Sequence, residues 1–151
     1  MSYNTSIDAL LALGIPDATY TAIQWAYTDF FTTLALTTNG YDHSIMIRGR
    51  QRFNLFRASA TLTLIPISQN QHFTLVVIDH MQRQIKGYDS LYGNPEYDNT
   101  IANNIRTIRQ LLADEALALG LTDYADNWTI IHDAARREGL PRQINGDDCG
   151  R

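Results

Sequence analysis

The stretch His72-Phe73-Thr74-Leu75-Val76-Val77-Ile78-Asp79, followed by Gln84-Ile85-Lys86-Gly87-Tyr88-Asp89, decides the fold. The first segment is almost continuously apolar and rich in β-branched residues, the pattern of a strand buried on both faces. The second reads as another strand, closed by Ser90 ahead of the turn Tyr92-Gly93-Asn94-Pro95. If Asp79-His80-Met81-Gln82 is a tight turn, the hairpin pairs His72 with Asp89. Directly opposed residues hold their Cβ atoms about 4.5–5.5 Å apart on one face of the sheet. A looser turn moves the pairing by a couple of residues and leaves the two close.

Upstream, Thr61 to Ile67 reads as a further strand, ended by Pro66 and the polar run Ser68-Gln69-Asn70-Gln71. Trp25, Tyr27, Phe30 and Phe31 cluster between Ile23 and Leu36, with Asp29 near a helix start and Asn39-Gly40 as its stop. Arg48, Arg50, Arg52 and Arg57 read as a solvated helix face with Phe53 and Phe56 as core anchors, or as a docking surface for an acidic partner. Ala9 to Leu13 is a short helix candidate in an N-terminal segment, 1–21, of undetermined structure. Downstream, Ile101, Ile105, Ile108, Leu112 and Leu119 form one helical stripe that Gly120 terminates. Trp128 to His132 is a short fourth strand. Strands and helices mix without strict βαβ alternation, so the class is α+β.

The chain has 151 residues, 44% hydrophobic and 19% charged, which fits one globular domain. Its net charge of -4 argues against a broad electrostatic grip on nucleic acid or an anionic membrane. The apolar runs are too short to span a bilayer. The start, Met1-Ser2-Tyr3-Asn4, lacks the basic and apolar regions of a secretory leader. One cysteine, Cys149, excludes an intrachain disulfide and a multi-cysteine zinc site. These features predict an intracellular protein, nuclear or cytoplasmic, with no metal and no cofactor.

Chemistry centres on three residues. Asp89 opposite His72 accepts a hydrogen bond from one ring nitrogen and leaves the other as an acceptor. A thiol at neutral pH is mostly protonated, so an oriented imidazole has a task in activating Cys149. Each residue also has an ordinary structural reading: a satisfied strand histidine, a turn-capping aspartate and a small core hydrophobe.

The tail Leu140-Pro141-Arg142-Gln143-Ile144-Asn145-Gly146-Asp147-Asp148-Cys149-Gly150 separates these readings. It resembles the Pro-x-Gln-x-Asn-Gly-x-Asp-Cys-Gly signature of the ubiquitin-like-protein proteases, the SUMO-protease or sentrin-specific protease family of cysteine peptidases. All seven specified residues of that signature are present, which makes the motif specific. His72-Phe73-Thr74-Leu75-Val76-Val77-Ile78-Asp79 is similar to the family's His-Trp-x-Leu strand, and Tyr88-Asp89-Ser90-Leu91 to its Tyr-Asp-Ser-Leu. Phe30, Phe31, Leu34 and Gly40-Tyr41 resemble its Phe-Tyr-x-x-Leu segment, and Leu64-Ile65-Pro66-Ile67 the strand before its histidine. The resemblance covers residues 22 to 151.

It implies a papain-like α+β catalytic domain with a mixed or antiparallel sheet flanked by helices. His72 is then the general base, Asp89 its orienting acid, Cys149 the nucleophile and Gln143 an oxyanion donor. Asn145-Gly146 presents the cysteine, and Phe73, where the family has Trp, walls a tunnel for a Gly-Gly tail. The implied partner is a SUMO-like ubiquitin-like protein or its conjugates. Four departures stand out. The chain stops two residues after Cys149, where the family begins a central helix expected to cover Val76, Val77 and Ile131. The family's N-terminal Trp-Leu-Asn-Asp segment is missing, Arg142 replaces Gln, and Asp147 adds charge beside the thiol. The expectation is a domain truncated at both ends. It is either a peptidase or isopeptidase or an impaired remnant that only binds a ubiquitin-like protein. A thiol acyltransferase with the same residue order is the third reading.

Overall fold

A computed structural model describes residues 23–49 and 53–142. Its frame is a five-stranded sheet in the order β1 (Ile23–Trp25), β2 (Leu62–Gln69), β3 (His72–Asp79), β4 (Gln84–Tyr88), β5 (Thr129–Ile131). The three central strands are antiparallel and the two outer ones run parallel to their neighbours, so the sheet is mixed. Among the described residues the α-helices are α1 (Phe30–Ala35), α2 (Ser44–Gly49), α3 (Pro95–Ala118) and α4 (Ala134–Arg137).

β2 runs on to Gln69, two residues past the expected end at Ile67. Pro66 does not stop it, because β1 pairs only as far as Leu64 and one side of β2 is open at the proline. A two-residue turn follows, with Asn70 and Gln71 both in the left-handed region at φ 54° and 61°, and Gln69 pairs with His72. Two positive φ values match the right-handed twist of the flanking strands. The next turn is looser. Asp79 pairs with Gln84 rather than Gln82, so His72 and Asp89 are not directly opposed as the tight turn required. The Asp79 carboxylate accepts from the backbone N–H groups of Met81 and Gln82, which stabilises the wider loop.

One face of the sheet carries the core. Ile65, Ile67, Val76, Ile78 and Ile85 pack there against Phe30, Phe31 and Leu34 of α1 and Ile101, Ile105, Ile108 and Leu112 of α3. Gly87 lets α3 approach, since a Cβ there would lie 2.6 Å from Ile105 Cδ1 and 2.8 Å from Ile101 Cδ1. Val76 and Val77 are both buried, so Val76 is covered by this core rather than awaiting a further helix. On the opposite face Leu64 and Leu75 are half-buried and Phe73 is exposed, so β3 is buried on both faces only over Val76–Ile78.

Asn94 caps α3 by accepting from the Glu96 N–H at 3.1 Å, with Pro95 at the first turn. At the other end Gly120 takes φ 73°, and the N–H groups of Gly120 and Leu121 return to Leu117 and Ala116, a Schellman stop. Leu119 is the helix cap and is 40% exposed, so it leaves the expected apolar stripe; Leu111 and Ala116 are buried in it. α1 ends at Ala35, ahead of Asn39-Gly40, whose glycine instead closes a separate turn at φ 73°. Phe53 is buried and Phe56 half-buried, as core anchors should be, though both follow α2 rather than lie in it. Arg50 and Arg52 lie outside the described residues, as do the Ala9–Leu13 candidate and residues 143–151. Tyr41 donates to Asp114 at 2.6 Å and His43 bonds the buried Glu115 at 3.1 Å, tying the chain before α2 to the end of α3. Among the described residues no helix is long and apolar enough to cross a membrane.

Candidate active site

His72 sits at the first position of β3 and projects to the core face, at the end of the sheet where α3 begins. Asp89 lies one residue past the last β3–β4 pair, Leu75 with Tyr88. The alternation of β4 puts its side chain on the same face as His72, displaced along the strand. A diagonal neighbour in a sheet stays within reach of a long side chain. Here the reach is complete, with His72 Nε2 2.6 Å from Asp89 Oδ1. Both side chains are buried, at 6% and 4% exposure.

Burying a carboxylate requires that its lone pairs be satisfied. Asp89 Oδ1 also accepts from the Leu91 N–H at 2.8 Å, and the Asp89 carbonyl accepts from the Tyr92 N–H at 3.3 Å. The acid is thus locked into the turn between β4 and α3. An ionised carboxylate only accepts, so Nε2 carries the proton of the neutral imidazole and Nδ1 is left as an acceptor. Nδ1 is buried, and among the described residues it has no hydrogen-bond partner. The ring is held from a second side by Tyr97 of α3, whose ring meets it edge-on with centroids 4.9 Å apart.

Two clefts flank the pair and share Thr74 and Asp89. One, of about 170 Å³, has mixed walls and lies on the core face among Gln69, His72, Glu96, Tyr97 and Thr100. The other, of about 370 Å³, has apolar walls from Phe73, Leu75, Tyr88, Ala135, Leu140 and Pro141. Phe73 is 47% exposed, so an aromatic surface stands open beside the buried pair. Burial, reinforced by a hydrogen bond to the Glu138 carboxylate, pushes the Tyr88 phenol up and keeps it protonated. Among the described residues no group of three or more His, Cys, Asp or Glu side chains could hold a metal ion.

The pattern model for the Ulp1 protease family, C-terminal catalytic domain, matches residues 38–151. The chain belongs to the Ulp1 protease family. A Caenorhabditis elegans sentrin-specific protease is 30% identical over 135 residues, which is 89% of this chain and 17% of that protein. Mouse sentrin-specific protease 2 is 31% identical over 126 residues, 83% of this chain and 19% of that protein. The chain therefore spans about a fifth of the length of the curated relatives it matches. The fold agrees with solved family structures. The crystal structure of a de-sumoylating protease superposes with a TM-score of 0.65 at 19% identity, covering 98% of this chain and 54% of that one. The C-terminal Ulp1 protease domain solved in complex with Smt3, the yeast ortholog of SUMO, gives 0.61 at 23% identity, covering 85% and 52%.

Of the residues singled out from the sequence, His72 and Asp89 are brought into contact, and Phe73 borders the larger cleft. Cys149, Gln143, Asn145 and Gly146 lie outside the described residues. Tyr97 and the Leu91 N–H were not foreseen. Their signal was the short span between Asp89 and the helix start at Pro95, which forces the first turn of α3 to lie beside the acid.

Proposed function

We propose that this chain carries the reacting groups of a thiol protease that cleaves after the C-terminal Gly-Gly of a SUMO-like protein. His72 takes the Cys149 thiol proton on Nδ1, and the thiolate attacks the glycine carbonyl carbon. Gln143 and the Cys149 backbone N–H donate to the oxygen that becomes negative. The imidazolium, stabilised by Asp89, returns its proton to the leaving amine. Water then releases the thioester by the same proton transfers. Phe73 walls the channel for the Gly-Gly tail, which passes only because glycine has no side chain, and Asn145-Gly146 turns the chain to present Cys149. Family membership supports the substrate class, and the single cysteine supports an intracellular setting.

The observation that carries this reading is the buried His72 ring, bonded to Asp89 through Nε2 with Nδ1 unpartnered among the described residues. Most buried side-chain polar atoms have a hydrogen-bond partner, so a buried imidazole nitrogen without one among the described residues points to a task beyond packing. The test is release of a fluorogenic amine from a SUMO-like protein carrying it on its terminal Gly-Gly. Turnover that disappears in Cys149→Ser and in His72→Ala supports the proposal. No turnover but saturable binding of the SUMO-like protein supports a binding remnant instead, and turnover indifferent to both substitutions overturns it.

A further inference from the structure

After α4, Gly139 at φ 68° turns the chain, and Leu140–Arg142 runs past the turn that holds Asp89. Tyr92 is the meeting point. Its N–H donates to the Asp89 carbonyl at 3.3 Å. Its phenol O–H donates to the Leu140 carbonyl at 3.0 Å. Its own carbonyl accepts from Arg142 Nε at 2.8 Å. The Arg136 guanidinium stands 5.8 Å from the Tyr92 ring. Thus two hydrogen bonds running in opposite senses bracket three residues of strap against one residue of the acid's turn. Gly93, next in the chain, takes φ 91°, a backbone conformation that L side chains rarely adopt, with the Arg136 and Arg142 guanidinium groups beside it.

Resting on the proposed function above, we infer that Tyr92 and Arg142 are positioning residues that fix the chain entering Gln143 relative to Asp89. A single exposed hydrogen bond adds little to global stability. Two at opposite ends of a short segment fix its direction as well as its position, and direction is what a segment leading to a nucleophile requires. Arg142 immediately precedes Gln143 and stands seven residues before Cys149.

The test is the pH–rate profile of Cys149 alkylation by iodoacetamide in the full 151-residue chain. A His72-activated thiol reacts at pH well below the free-thiol value of about 8.5. Arg142→Ala and Tyr92→Phe are expected to move the profile toward that value and to lower the rate at neutral pH about tenfold or more, since errors near 1 Å are that costly. Melting should stay within a degree or two of wild type, and Arg142→Lys, which keeps a donor, should recover part of the rate. If both profiles overlay the wild type while His72→Ala shifts its own, the clamp is wrong and the proposed function stands. If His72→Ala also overlays the wild type, the proposed function fails and the clamp with it.

Discussion

His72 and Asp89 bond along a diagonal of the sheet, 2.6 Å apart, although neither is the other's register partner. The wide Asp79–Gln84 loop displaces Asp89 along β4, and the acid reaches back from a turn whose own backbone it caps through the Leu91 N–H. Its position is therefore set by the β4–α3 connection as much as by the strand pairing.

Asp89→Asn tests that arrangement. An amide can donate where the carboxylate only accepts, so the imidazole is free to carry its proton on Nδ1, the wrong nitrogen for a base. Under the proposed function, Gly-Gly amide hydrolysis is expected to fall on the order of 10³–10⁴-fold, as when a triad's tautomer is reversed. Imidazole ¹⁵N shifts should report the exchange of tautomers. Wild-type turnover in Asp89→Asn would remove the acid from the mechanism.

Phe73→Ala separates a wall from a core residue. At 47% exposure its loss should change stability by less than about 0.5–1 kcal/mol. The expected effect is a raised KM for a Gly-Gly substrate, restored by Phe73→Trp, which supplies more aromatic area. Steady-state kinetics decide it, and a large drop in melting temperature with unchanged KM would make Phe73 structural.

The central hairpin, the long helix with its glycine stop and the short strand near Trp128 were all legible, because each rests on local periodicity and turn chemistry. Register was not. It depends on how many residues the Asp79 carboxylate holds in its loop, and tight and wide turns share the same composition. Pro66 misled for a related reason: whether a strand tolerates proline depends on the neighbour's length, and β1 is only three residues long. Arg142 acts through a contact formed only once the strap has packed, so no spacing in the chain announces it.

Gly87→Ala is expected to destabilise the protein by about 1–3 kcal/mol, the usual cost of overpacking. The added methyl would meet Ile101 and Ile105, which are 1% and 0% exposed and have little room to yield. Gly87 lies two residues before Asp89, so the strain also reaches the site. Pairing the change with Ile105→Val should recover part of the loss in urea melts. A neutral Gly87→Ala would show that α3 shifts more easily than its packing implies.

His80 sets a pH dependence. Thr63 Oγ1 accepts from Gln24 Nε2 at 2.8 Å, and Gln24 Nε2 also lies 3.1 Å from the Leu55 carbonyl. The Thr63 hydroxyl proton is then available to His80 Nε2, 2.7 Å away, and that nitrogen accepts only while the ring is neutral. Burial, partly offset by Asp79, holds the His80 imidazole below its ordinary value of 6.5. The sign follows from proton uptake. Below pH 6.5 the unfolded chain binds a proton that the folded one resists, so stability is full above that pH and declines as pH falls toward the folded value. Urea melts between pH 7.5 and 5 should show a falling midpoint with little change in slope. His80→Gln, which keeps an acceptor for Thr63 but cannot take up a proton in this range, should flatten that decline. An equally steep decline in the variant would assign the acid sensitivity to another group.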